Sequence, residues 1–156
     1  MTAINEILNQ FERQFKTLDT LYDRVNDAAW AFPDQRIKGT WQWMAHLLET
    51  VEFYLGNRNE GFEWGHRFDL DWENAQANPI PSREAMRVYQ KDVQAFALQV
   101  LGGKSDADLL VPESLHPWTG KTYLGKLLYL MRHTQQHIGD INRVLRMNGC
   151  DALEWH

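Results

Sequence analysis

Cysteine is almost missing from this chain. The single one, Cys150, cannot close an internal disulfide, which excludes a framework of the small secreted kind. Long apolar runs are missing too. The longest is LLYLM, Leu127–Met131, far short of the roughly 20 residues that span a bilayer. Positive charge is in deficit: 16 Lys and Arg stand against 21 Asp and Glu, a net charge of −5. That argues against nucleic acid or an acidic membrane as the main partner, since both need an electropositive face. The opening residues, MTAINEILNQFERQF, include Glu6 and have neither a basic n-region nor an apolar h-region, so no signal peptide is expected there. A reducing, cytoplasmic setting is the default expectation. There is no strand-like alternation of useful length, no Gly-rich phosphate loop and no C-x-x-C-H string for covalent haem. No Ser-His-Asp or Cys-His order stands out either. Internal repeats, low-complexity tracts and linkers are absent, so residues 1–156 are expected to form one domain, long enough for a proper core.

Helical periodicity is present in quantity. A first segment, from about Thr2 to Asp27, repeats apolar residues at Ile4, Ile7, Leu8, Phe11, Phe15, Leu18, Leu21, Tyr22 and Val25, with Thr2 as N-cap. A second opens after Gly39 with Thr40 as cap and runs to Leu55, stopped by Gly56. A third starts at Ser82 and ends at Gly102–Gly103, with Met86, Tyr89, Val93, Phe96 and Val100 facing in. A fourth runs from near Thr122 to Gly149 on a stripe of Leu124, Leu127, Met131, Ile138, Ile141 and Leu145. Four such segments make an all-α, four-helix bundle. The second helix is only about 23 Å long. The stretch from Gly56 to Pro81 can therefore cross the whole bundle, which would make helices 2 and 3 parallel. Its aromatics, Phe62, Trp64, Phe68 and Trp72, suggest that it is packed down. Gly103–Lys121 is a second long connection, a crossover or a lid. The seven tryptophans read first as packing residues.

The chemistry concentrates in histidine. RHTQQHIGD places His133 and His137 four apart on the last helix. With six histidines in the chain, such a pair arises by chance in roughly one chain in five. A third, His46, lies on the second helix. At about 100° per residue, His46 falls on the shoulder of the stripe Met44, Leu47, Val51, Tyr54 and Leu55. His133 and His137 fall on the shoulder of theirs, near Lys126, Tyr129, Gln136 and Asp140. If these borders meet, three imidazoles converge. Three nitrogens with a further position left open is the pattern of a catalytic metal site rather than a closed structural one. Spacing alone leaves coincidence equally open.

Other metal patterns fit worse. HTQQH has Thr134 where a zincin carries its glutamate base. Two E-x-x-H strings, Glu63–His66 and Glu113–His116, lie in segments broken by Gly65 or bounded by Pro112 and Pro117, unlike the helical E-x-x-H pairs of di-iron bundles.

WMAHLLETVEFYL, followed far downstream by LLYLMRHTQQHIGDINRVLRMNG, resembles the DinB/YfiT-like superfamily (unrelated to the DNA polymerase that shares the DinB name). The resemblance covers nearly the whole chain: helix count, long middle loops, histidine order and the Leu145–Gly149 ending. It implies an up-down-down-up four-helix bundle. It also implies a divalent ion, nickel or zinc foremost, bound by His46, His133 and His137. Family members often follow the last histidine with Arg-Gly-Gln; here Ile138-Gly139-Asp140 stands instead. Gly139 is then expected to serve close helix approach. Asp140 either orients an imidazole N–H or is simply solvated.

Characterised relatives include transferases and isomerases that use low-molecular-weight thiols such as bacillithiol, mycothiol or glutathione. The resemblance therefore implies thiol-dependent S-transferase-type chemistry on a small molecule. The physical logic is that a metal deprotonates a bound thiol at neutral pH. Lys121, Lys126, Arg132, Arg143 and Arg146 would offer a basic rim for thiol carboxylates, although Arg143 and Arg146 read better as a solvated face. The alternatives are a metal-dependent hydrolase, with Glu49 or the E-x-x-H acids as base, and a non-enzymatic metal-binding or stress-associated protein. Glu49, Asp140 and Tyr129 are the candidate catalytic residues. Relatives are often dimers, so a homodimer is possible.

Overall fold

The computed structural model describes residues 2–32, 38–70 and 80–156. Trp72 lies outside the described residues. In chain order the elements are α1 (Ala3–Asp19), α2 (Leu21–Arg24), α3 (Asp27–Trp30), α4 (Thr40–Leu55), α5 (Arg83–Gly102), a 3-10 turn (Asp108–Leu110) and α6 (Tyr123–Met147). The protein is all-helical. No strand occurs among the described residues, where one isolated bridge joins Pro112 to Thr122. No helix among them is long and apolar enough to cross a membrane.

The first helical segment stops sooner than its periodicity predicts. α1 ends at Asp19 because the Thr20 hydroxyl donates back to the Thr17 carbonyl at 2.8 Å, the local bond by which threonine competes with helical continuation. Val25 is then extended, and the Asn26 side chain accepts the Ala29 N–H at 2.8 Å, starting the one-turn helix α3. Thr2 occupies the N-cap position of α1 without capping it. Asp106, beyond the end of α5, accepts the Ile4 N–H at 2.8 Å instead. In α4 the cap is Gly39 rather than Thr40. The Gln42 side chain returns to the Gly39 N–H at 2.7 Å, while the Thr40 hydroxyl binds the Ala29 carbonyl. A Cβ on Gly39 would stand 2.9 Å from the Trp30 carbonyl oxygen, so no other residue fits there unchanged. Ser82 and Thr122 do cap α5 and α6 as their positions suggest.

Burial follows most of the predicted stripes. Phe11, Phe15 and Leu18 of α1 and Met44, Leu47 and Val51 of α4 are buried. On α5 the buried face is rotated from the expected one: Ala97 and Leu101 are buried, whereas Phe96 and Val100 are half-buried at its edge. α4 packs against both α5 and α6, and α1 against the same two.

The long connection after α4 is only partly packed down. Phe62 and Phe68 are half-buried, and Trp64 is exposed. The connection before α6 is held by a buried ion pair, Glu113–Lys126, at 2.6 Å. Lys126 also donates to Asn57 just past α4, at 2.7 Å, and Glu113 accepts the backbone N–H groups of Leu115 and His116. Removing one partner would leave an uncompensated buried charge, a cost of about 3–5 kcal/mol.

Gly139 does not serve a close helix approach. A Cβ there would meet nothing within 4 Å. The tight glycine contact lies elsewhere on the same helix, where a Cβ on Gly125 would come within 3.0 Å of the Gly120 Cα. Gly139→Ala should therefore gain helix propensity of about 1 kcal/mol without a clash. The expected outcome is a rise in melting temperature of about 2–4 °C for a chain of this size; a fall would mean that something does approach this face.

Candidate metal centre

α4 lies along α6 in the opposite direction. Tyr54 meets Tyr129, and Lys126 reaches Asn57. Two turns earlier on α4, His46 lies in the same register as His137 and also meets His133, one turn before it on α6. The i, i+4 spacing puts His133 and His137 on one side of α6, and both face His46. Sequence placed all three histidines on the margin between core and solvent. The structure agrees: His46 and His133 are half-buried and His137 is buried.

The nitrogens converge through the same atom of each ring. Nε2 of His133 stands 3.3 Å from Nε2 of His46 and 3.1 Å from Nε2 of His137. Ligand atoms of all three residues lie within 4.8 Å of one another, so the group could hold a metal ion. Two nitrogens at 2.0–2.1 Å from one ion are about 3.4 Å apart at tetrahedral angles and about 3.0 Å apart at right angles. The observed separations fall inside that range. Without a cation or proton between them, facing lone pairs at this distance repel.

The electrostatics favour neutral rings. Burial lowers the pKa of His46 to about 3, and His137, His133 and Lys38 push it the same way. Burial also lowers His133 to about 4, with His137 adding to the shift. Neutral imidazole is the metal-binding form, so at these two positions protons compete weakly at neutral pH.

Neighbouring side chains fix the rings. His137 Nδ1–H donates to Asp140 Oδ2 at 2.9 Å, which leaves its Nε2 lone pair aimed at the cluster. Asp140, which sequence left between two roles, therefore holds an imidazole. Trp43 stacks on His137, with ring centroids 4.6 Å apart and planes 24° apart. Tyr129 stacks on His133 at 6.1 Å, and the Arg132 guanidinium covers the Tyr129 ring. Trp64 lies 6.3 Å from His46. Helical phase put Tyr129 beside the histidines of α6. Trp64 was not foreseen, because a loop residue has no periodicity to place it.

Several candidate residues go elsewhere. Glu49, one turn from His46, is buried and turns to the loop: its Oε1 accepts the Gly65 N–H at 2.7 Å and stands 3.7 Å from His66 Nδ1. Glu52 bonds Tyr89 and faces His66 Nε2 at 3.4 Å. In the E-x-x-H strings, Glu63 is exposed and Glu113 is bound to Lys126. His116 Nε2 donates to the Arg58 carbonyl at 2.7 Å. Neither string joins the triad. The basic rim is also smaller than expected, since Lys126 is buried in its ion pair. Arg143 and Arg146 are exposed, which fits the solvated face.

No family model, curated protein or solved structure matches the chain.

Two outcomes follow from these contacts. Asp140→Ala should weaken metal affinity about 10–100-fold, the usual loss when a ligand's hydrogen-bond partner is removed; competition with a chromophoric chelator would measure it, and unchanged affinity would assign Asp140 to solvent. Glu49 supplies a pH test. Burial raises its pKa from 4.5 to about 7, against the Gly65 hydrogen bond, which lowers it. Between those values the folded chain holds a proton that the unfolded chain has lost. The group's stabilising contribution is thus full below pH 4.5 and is lost as pH rises through 7. Glu49→Gln keeps an acceptor for Gly65 and removes the titration. Its melting temperature should gain on wild type between pH 5 and pH 8, and parallel profiles would show a carboxylate already charged when folded.

Proposed function

We propose that this protein binds a divalent transition metal, nickel or zinc, through His46, His133 and His137, and uses it in thiol-dependent S-transferase-type chemistry on a small molecule. The observation that carries the reading is the convergence of three Nε2 atoms at 3.1 and 3.3 Å, from two separate helices. Side-chain packing alone gives imidazoles no reason to share one point through one kind of atom. An ion held by three neutral imidazoles keeps further coordination positions and supplies a Lewis acid that favours a thiolate at neutral pH.

The chain's own residues supply the rest. The three Nε2 lone pairs bind. Asp140 holds the tautomer and orientation of His137. Trp43 and Tyr129 wall two of the rings and limit water. The hydrolase alternative is less well served. A base must reach the reacting water, yet Glu49 is tied to Gly65, Asp140 to His137 and Glu113 to Lys126.

The resemblance to DinB/YfiT-like proteins, and with it an up-down-down-up bundle, is part of this proposal. The helix pairings support it. Leu55 and Val100 border one cavity, as expected if α4 and α5 run parallel. Gln14 bonds the Met131 carbonyl while Arg24 bonds the Ala152 carbonyl, as expected if α1 and α6 run parallel. Ile4 meets Asp106 while Asp19 meets Lys91, as expected if α1 and α5 oppose.

Elemental analysis after purification tests the site. Wild type should carry about one equivalent of metal, and His46→Ala, His133→Ala and His137→Ala should each lose most of it, because two ligands hold an ion far less well than three. Full occupancy in all three variants would overturn the assignment.

A further inference from the structure

A cavity of about 650 Å³ lies beside the triad, walled by Phe53, Phe62, Trp64, Leu115, His116 and Trp118, with Asn59 and Glu60 also bordering it. The volume is within the range of small-molecule sites. Its walls come from three places: α4, the connection after it and the connection before α6. Two of them lead to the triad. Trp64 lines the cavity and lies against His46. Trp118 donates to the Tyr54 hydroxyl at 3.1 Å; Tyr54 packs on Tyr129, and Tyr129 stacks on His133.

Two features indicate what the cavity receives. The first is uncovered apolar surface. Trp118 is 62% exposed and Trp64 44%, although each touches a partner that holds it in place. Large rings held rigidly at a cavity edge, open to water on one face, provide stacking surface at little cost in side-chain freedom. The second is charge. Among the described residues the lining contains no Lys or Arg. Lys126, one lysine of the expected basic rim, is committed to Glu113. A ligand whose recognition depends on carboxylates finds little to bind here, whereas an uncharged ring finds apolar faces on several sides.

We infer that this cavity binds a neutral aromatic group of the small molecule handled at the triad, with the reacting end directed past Trp64 toward His46. The link to the triad rests on the metal-centre reading; the preference for a neutral ring rests on the cavity alone.

The test uses two thiols, benzyl mercaptan and 2-mercaptoethanol, titrated into the cobalt-substituted protein and followed by cobalt absorption. Benzyl mercaptan should half-saturate at about 30-fold lower concentration, the gain from burying a ring. Trp118→Ala should reduce the ratio of the two half-saturation concentrations to within a few-fold, and Trp118→Phe should restore it. Equal binding of the two thiols by wild type, or a preference that survives Trp118→Ala, would overturn the inference. Calorimetric titration of the metal-free protein with benzyl alcohol keeps the two readings apart. Saturable binding that Trp118→Ala abolishes supports the cavity even if no cobalt is taken up. No saturable binding overturns the cavity even if the triad binds metal.

Discussion

The register of α4 against α6 decides whether there is a site. Helical residues three or four apart share a face, but a face becomes a site only when the facing helix presents its own residues at the same height. Here the aromatic contact of Tyr54 with Tyr129 and the bond from Lys126 to Asn57 set that height at one end. His46 then falls opposite His133 and His137. A slip of one helical turn, about 5.4 Å, would part the imidazoles by more than any divalent ion could bridge. The apolar stripes of the two helices thus position the chemistry, although they take no part in it.

The same arrangement explains why His46 and His133 stay neutral. A tyrosine face covers His133, and burial dominates the lowered pKa values of His46 and His133. These two rings therefore bind a proton weakly while keeping a lone pair for a cation. Asp140 accepts the hydrogen bond from His137 Nδ1–H, which leaves the Nε2 lone pair facing the other two rings.

Most of the helical framework and the border position of each histidine were legible in the sequence, because both depend on local periodicity; spacing left their convergence open, and only the resemblance implied it. The stripes of α1 and α4, the caps Ser82 and Thr122 and the border position of the histidines follow from spacing alone. What escaped depends on contacts between distant residues. Asp106 caps α1 from beyond α5. Glu113 finds Lys126 across a connection that has no periodicity. Glu49 sits one turn from His46, and phase could not reveal that Gly65 would claim its carboxylate. Thr20 halted the first helix through a single hydroxyl bond, which an apolar count does not register. Gly139 misled for the opposite reason: helix-interior glycine suggested a neighbour, and the neighbour was at Gly125.

The buried Glu113–Lys126 pair bears on how this protein can diverge. Either residue changed alone strands a charge away from water, whereas a joint change to apolar residues of similar volume is often neutral. Descendant sequences should therefore keep both residues or lose both, and intermediates with one should be short-lived. Leu115, His116 and Trp118 lie within five residues of Glu113 and line the aromatic cavity. Their freedom to vary is constrained by a charge pair they do not belong to, so altered ligand preference has an easier route through Phe62 and Trp64 on the other connection.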